Sequence, residues 1–164
     1  MPVREWWIYP KFMDALTASL ALGGLVVLAA ASGFLIRARE GRAKILTNAV
    51  RVTPEQLGLR RGDLPFGSTA TFVQFSTEYC AKCPATRVLL AETARAHPGV
   101  RHVDIDVTQR PDIAQRFTLK QTPTTLVLDE AGMIAARIGG APRPDALARA
   151  LDIARRRDHG SYTI

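Results

Sequence analysis

Apolar and polar positions follow two regimes along this chain. From Ala15 to Ile36 runs a dense apolar, charge-free stretch of 22 residues. Wound as a helix at 1.5 Å per residue it is about 33 Å long, matching a hydrocarbon slab of roughly 30 Å. From about residue 50 onward, short apolar segments alternate with polar breaks, as in a soluble α/β domain. Val50 and Val52 make a brief alternation. Thr53-Pro54-Glu55-Gln56 predicts a helix start, with Thr53 as cap, Pro54 in the first turn and Gln56 closing a capping box. Leu57 and Leu59 give that helix an apolar side, and Gly58 ends it. Arg60 to Ser68, with Gly62, Pro65 and Gly67, reads as loop.

Thr71–Phe75 is rich in aromatic and β-branched residues and predicts a strand. Pro84 to Ala96 predicts a helix, with Val88, Leu89, Ala91 and Glu92 at helical spacing and His97-Pro98-Gly99 as the stop. Val100–Val107 predicts a strand with Val103, Ile105 and Val107 on one side and Asp104 and Asp106 on the other. Pro111–Phe117 predicts a short helix carrying Ile113 and Phe117 on one face. Thr124–Leu128, a turn at Asp129–Gly132 and Met133–Ile138 predict a hairpin, broken by Gly139-Gly140. Pro144–Arg157 predicts a last amphipathic helix with Leu147, Leu151 and Ile153 inward, and Asp158–Ile164 a tail. Strands separated by helices imply parallel pairing, and the hairpin adds an antiparallel edge. The expected organisation is a flank (1–14), a membrane span (15–36), a basic linker (37–49), an α/β domain (50–157) and a tail (158–164).

The residues around the apolar run bear on the membrane reading. Trp6, Trp7 and Tyr9 precede it as an interfacial aromatic belt would, and Arg37, Arg39, Arg42 and Lys44 follow it. The alternative is a cleaved signal peptide, for which Ala29-Ala30-Ala31-Ser32-Gly33 offers small residues. Against that, the run exceeds a signal core, and Phe34-Leu35-Ile36 would remain as an apolar stub after cleavage. Before the span, Arg4 and Lys11 are offset by Glu5 and Asp14; after it only Glu40 opposes four basic residues. The positive-inside bias therefore points the C-terminal domain to the cytoplasm, although long translocated domains override that bias. Ser19/Gly23 and Ala29/Gly33 are small-xxx-small pairs of the kind that pack helices together, in a span where such residues are common anyway.

Charge changes the picture little. The formal net charge is +7, and of 22 basic residues only Lys11, Lys44, Lys82 and Lys120 are lysines. The basic residues are dispersed and no aromatic-basic motif accompanies them, which argues against nucleic acid as a partner.

The cysteines change it more. There are two, Cys80 and Cys83, between a predicted strand and a predicted helix. A bridge between them closes so small a loop that it staples almost nothing, so the pair is there for chemistry or for metal. At a helix start, free backbone N–H groups and the helix dipole stabilise a thiolate, and Lys82 adds a positive charge. Cys80, at the exposed start, would attack a disulfide; Cys83, one turn in, would resolve the mixed disulfide. The metal reading has a matching spacing in Cys80-x2-Cys83-x13-His97-x4-His102. The intervening helix, however, carries His97 about 20 Å from Cys83, so four ligands at about 2 Å from one ion do not converge. His97 reads as a helix-end residue, His159 as part of the tail, Asp104 and Asp106 as solvated carboxylates, and Arg155-Arg156-Arg157 as a favourable helix end.

From Phe72 through Cys83 the segment FVQFSTEYCAKC resembles the strand and active-site turn of thioredoxins, and Gln121-Thr122-Pro123-Thr124 resembles their cis-proline loop. The resemblance covers about Val50 to Arg157 and implies a thioredoxin fold, a central mixed sheet flanked by helices, here preceded by one transmembrane helix. It implies that Pro123 is cis, that Thr122 offers backbone hydrogen bonds to an extended substrate, and that Gly139 lies near the same groove. Tyr79 stands where thioredoxins usually have tryptophan, and Ala81-Lys82 where they have Gly-Pro. Gln74 replaces a usual buried acid that assists the second cysteine; a glutamine takes up no proton, and Glu78 or water is left to serve instead. The implied function is a membrane-tethered thiol–disulfide oxidoreductase, reducing disulfides through its dithiol. No cofactor is expected beyond the redox-active Cys80–Cys83 disulfide, and no metal. The expected partners are a disulfide-containing protein or small-thiol substrate, an upstream thiol reductant, and the membrane through residues 15–36. A non-catalytic thioredoxin-like scaffold and an extracytoplasmic thiol donor for cytochrome maturation are the alternatives.

Overall fold

The computed structural model describes residues 9–46, 50–60 and 66–156. The chain divides into two compact units, Met1–Arg39 and Glu40–Ile164. The first contains helix α1, Tyr9–Arg39. Within it, Ala15–Ala38 is long and apolar enough to cross a membrane, and none of it is buried. The helix overshoots the charge-free run at both ends, because charges bound the apolar slab and not the backbone hydrogen bonding. Arg4, Glu5, Trp6, Trp7, Gly62, Pro65, Arg157, His159 and the rest of the tail lie outside the described residues, as do the side chains of Tyr9, Lys11, Asp14 and Arg39.

The second unit is built on a five-stranded sheet in the order β1-β5-β4-β2-β3. Its elements are β1 (Ala43–Ile45), β2 (Ala70–Ser76), α2 (Cys83–Ala96), β3 (Val100–Asp106), α3 (Pro111–Arg116), β4 (Thr124–Asp129), β5 (Ile134–Gly139) and α4 (Pro144–Arg156). Every residue of β2 is buried, as in a strand covered on both faces. On one face Phe72, Val127 and Ile138 pack against Leu90 of α2 and Leu147 and Leu151 of α4. On the other, Val73, Phe75 and Leu126 pack with Ile113 and Phe117, and the Phe75 and Phe117 rings lie 5.0 Å apart.

Three expectations change. Among the described strands only β2 and β3 run parallel; β4 is antiparallel to β2 even though a helix precedes it. Lengths explain this. α2, with 14 residues, spans about 21 Å and carries the chain back along a seven-residue strand of about 23 Å. α3 has six residues, about 9 Å, so β4 must start at the end where β3 stopped. Next, α2 buries Cys83, Thr86, Leu90 and Ala94, whereas Val88 points out. The inward stripe contains a threonine, which hid its phase. Finally, the expected linker is structured in its described part, running from the end of α1 into β1, where Ala43, Lys44 and Ile45 pair with Ile138, Arg137 and Ala136.

The predicted helix at Thr53 is a single 3-10 turn, Glu55–Leu57. Gln56 Oε1 accepts the Thr53 N–H at 3.1 Å, as in a capping box, but no side chain caps the turn from Thr53. Gly58, at φ 75°, ends it.

Candidate active site

β2 delivers the chain to the cysteines, and α2 begins at Cys83 with Pro84 in its first turn and no side-chain cap. The turn between them is tied by backbone bonds from Cys80 N–H to Thr77 O (3.2 Å) and from Cys83 N–H to Cys80 O (3.1 Å). The two sulfurs are joined as a disulfide with Cα atoms 5.4 Å apart. Cys80 is half-buried and Cys83 is 2% exposed. A substrate thus reaches the first sulfur and not the second.

Register brings the other residues here. Because β4 is antiparallel to β2, its first residue, Thr124, pairs with Phe75 near the end of β2. Because β5 is antiparallel to β4, its last residue, Gly139, pairs with Thr124. The Thr122–Pro123 peptide, which is cis as the resemblance implies, therefore sits at the cysteine end of the sheet. Thr77 Oγ1 and Thr122 Oγ1 are 3.1 Å apart, joining the two loops. The Gly140 N–H donates to Pro123 O at 2.8 Å, and Thr124 Oγ1 donates to Gln121 O at 2.7 Å.

The charged neighbours divide. Tyr79 is 86% exposed beside the pair, and its hydrogen bond with Glu78 holds its phenol above the usual range. Glu78 is exposed, and its N–H is anchored on Thr108 Oγ1 at 3.0 Å. Gln74 is fully buried beneath α2; its Nε2 donates to the Cys83 carbonyl at 3.1 Å, while its Oε1 has no protein partner. Its amide thus serves as a strut for the start of α2. Lys82 reaches back to Glu40, Nζ to Oε2 at 2.9 Å.

His97 and His102 belong to other settings. His97 ends α2, with Nδ1 2.8 Å from Thr93 O. His102 lies in β3, where burial holds its imidazole below the usual range. Asp104, expected as a solvated carboxylate, pairs with Arg87 of α2 and keeps Oδ1 buried. Among the described residues no group of three His, Cys, Asp or Glu side chains is arranged to hold a metal ion.

Sequence reasoning places Thr77 and Gln121 in the active-site turn and the cis-proline loop without a role of their own, and misses Gly140 and Glu40. Glu40 entered only as a charge opposing the basic flank. Nothing local marks it, because its partner lies 42 positions away.

The arrangement can perform dithiol–disulfide exchange: an accessible sulfur in the turn just before a helix with no side-chain cap, a shielded one in that helix's first turn, and a cis-proline edge alongside. Residues 66–153 match the family model for thioredoxin. The chain is 30% identical over 84 residues to thioredoxin C-2 of Corynebacterium nephridii, covering 51% of this chain and 78% of that one. It is 30% identical over 70 residues to thioredoxin-2 of Pyricularia oryzae, covering 43% of this chain and 41% of that one. The crystal structure of thioredoxin NaTrxh from Nicotiana alata aligns at 26% identity with a TM-score of 0.47, over 54% of this chain and 75% of that one. The chain belongs to the thioredoxin family.

Proposed function

We propose that this chain is a membrane-tethered disulfide reductase, within the general thiol–disulfide oxidoreductase class of its family. The observation that carries the reading is the Cys80–Cys83 pair at the start of α2, beside the cis Thr122–Pro123 loop. In the dithiol form, the Cys80 thiolate attacks one sulfur of a substrate disulfide. That S–S bond breaks, the departing sulfur takes a proton, and a mixed disulfide to Cys80 remains. Cys83 loses its proton and attacks Cys80 Sγ, which releases the second substrate thiol and forms the Cys80–Cys83 disulfide. Two electrons have then passed to the substrate, and an upstream dithiol returns them by the reverse exchange. No cofactor enters these steps.

Thr122 and Gly139 offer the backbone edge on which an extended substrate lies, and Tyr79 supplies apolar contact beside the nucleophile. Lys82 favours the thiolate by charge. Gln74 takes up no proton, so the proton of Cys83 leaves to water or to Glu78. α1 anchors the domain to the membrane, and the basic residues after it favour the cytoplasmic side.

Reduction of insulin by the full chain in detergent, with dithiothreitol as electron source, tests the reading. Wild type is expected to turn over, and Cys80→Ser is expected to lose essentially all activity. Full activity in Cys80→Ser would sink the reductase reading in favour of a scaffold. A reporter fused after Ile164 that is active only outside the cytoplasm would instead support an extracytoplasmic thiol donor.

A further inference from the structure

Glu40 opens the globular unit, and its carboxylate meets the lysine that lies between the two cysteines. This contact is made by a held segment. The Gly41 N–H donates to Gly139 O at 2.9 Å, and the Arg143 N–H donates to Gly41 O at 3.2 Å. β1 then continues along β5. Gly41 sits at φ +72°, where a Cβ would come within 2.4 Å of Ala141 O, so the backbone passes through a gap only glycine fits. Gly140 packs against the Glu40 stem, where a Cβ would lie 3.6 Å from Glu40 Cβ. The strand that bears Gly139 thus also fixes Glu40.

We propose that Glu40 is a positioning residue for the redox pair: it holds the Lys82 ammonium and so limits how strongly that charge activates Cys80. The inference rests on the reading of Cys80 as the attacking thiolate. A thiolate at a helix start gains from every nearby cation, and an anion that engages the cation cancels part of the gain. The other charged or titratable groups here are Glu78 and Tyr79 in the turn, Arg42 after Gly41, Lys44 on β1, Lys120 before the cis peptide and Arg143 before α4; Arg87 of α2 pairs with Asp104, Asp145 of α4 with Arg149, and Arg137 of β5 with the Phe117 and Thr118 carbonyls. Among the described residues, no second ion pair involves Glu40 or Lys82. Both side chains remain partly exposed, at 34% and 59%, so water and salt moderate the effect.

The experiment measures iodoacetamide alkylation of the reduced full chain in detergent against pH, with mass spectrometry separating Cys80 from Cys83. Glu40→Gln is expected to move the Cys80 midpoint to lower pH and to raise alkylation below that midpoint about two- to threefold at low salt. Lys82→Gln is expected to move the midpoint upward, and in that background Glu40→Gln is expected to lose most of its effect. Molar salt is expected to shrink both shifts. Glu40→Asp, which keeps the charge but shortens the reach, is expected to fall between wild type and Glu40→Gln. A wild-type midpoint in Glu40→Gln, or an equal shift with and without Lys82, would overturn the proposal. Cys80 reacting no faster than Cys83 in the wild type would instead overturn the nucleophile assignment beneath it.

Discussion

The two cysteines are three positions apart yet differ in what reaches them. Cys80 is half-buried and Cys83 is enclosed, because α2 begins at Cys83 and turns it toward Leu90 and the sheet. The difference predicts an asymmetric pair of variants. Cys83→Ser is expected to accumulate a mixed disulfide between Cys80 and substrate, visible as a covalent adduct on non-reducing gels, whereas Cys80→Ser accumulates none. An adduct on Cys83 at comparable yield would refute the assignment of roles. Gln74 contributes at the same scale in another way. Its side chain is buried and donates to the Cys83 carbonyl, so it supports the first turn of α2. Gln74→Ala removes that bond and opens space in the core, and is expected to destabilise the unit by about 2–3 kcal/mol in urea unfolding.

At the scale of elements, segment length and glycine decide the arrangement. The 14 residues of α2 return the chain for a parallel β3, and the six of α3 do not. β1 lies on the outer edge of β5 after a turn through Gly41, whose left-handed backbone favours glycine. Gly41→Ala forces a side chain into a left-handed backbone 2.4 Å from a carbonyl oxygen, which costs about 1–3 kcal/mol where the turn persists. The expected result is faster amide hydrogen exchange across Ala43–Ile45 with little change in β2 or β4. Unchanged protection in β1 would show that the turn does not hold the strand. Much of this level was legible beforehand: β2 through β5 and α2 through α4 lie within a residue or two of their predicted bounds. The phase of α2 was not, because Thr86 on its inward stripe reads as polar in sequence.

At the scale of the whole molecule, the sheet order places every proposed contact at one end of the globular unit. The opposite part of the sheet edge carries a titratable group with a different consequence. His102 of β3 is held below its usual value of 6.5 mainly by burial, and Arg87 adds to that while Asp104 opposes it. Below pH 6.5 the unfolded chain therefore binds a proton that the folded chain resists, and stability falls as pH drops from about 6.5 toward the lowered folded value. His102→Gln is expected to flatten the thermal midpoint between pH 7 and pH 5 relative to wild type. A slope as steep as that of the wild type would assign the effect to other groups.

Composition and spacing on their own determined an apolar run long enough for a membrane, an α/β succession of elements, and a cysteine pair at a strand–helix junction. These follow from side-chain hydrophobicity and from periods of two and 3.6 residues, which are local properties. Only the tertiary structure decided that β4 reverses against β2, the register that sets the cis-proline loop and Gly139, implied by the family resemblance, at the cysteine end of the sheet. It also decided that Glu40 answers Lys82. Those contacts join residues about forty to sixty positions or more apart, and they depend on strand order and direction, which no local pattern encodes. The Cys-x-x-Cys motif thus named the chemistry, and chain topology supplied its surroundings.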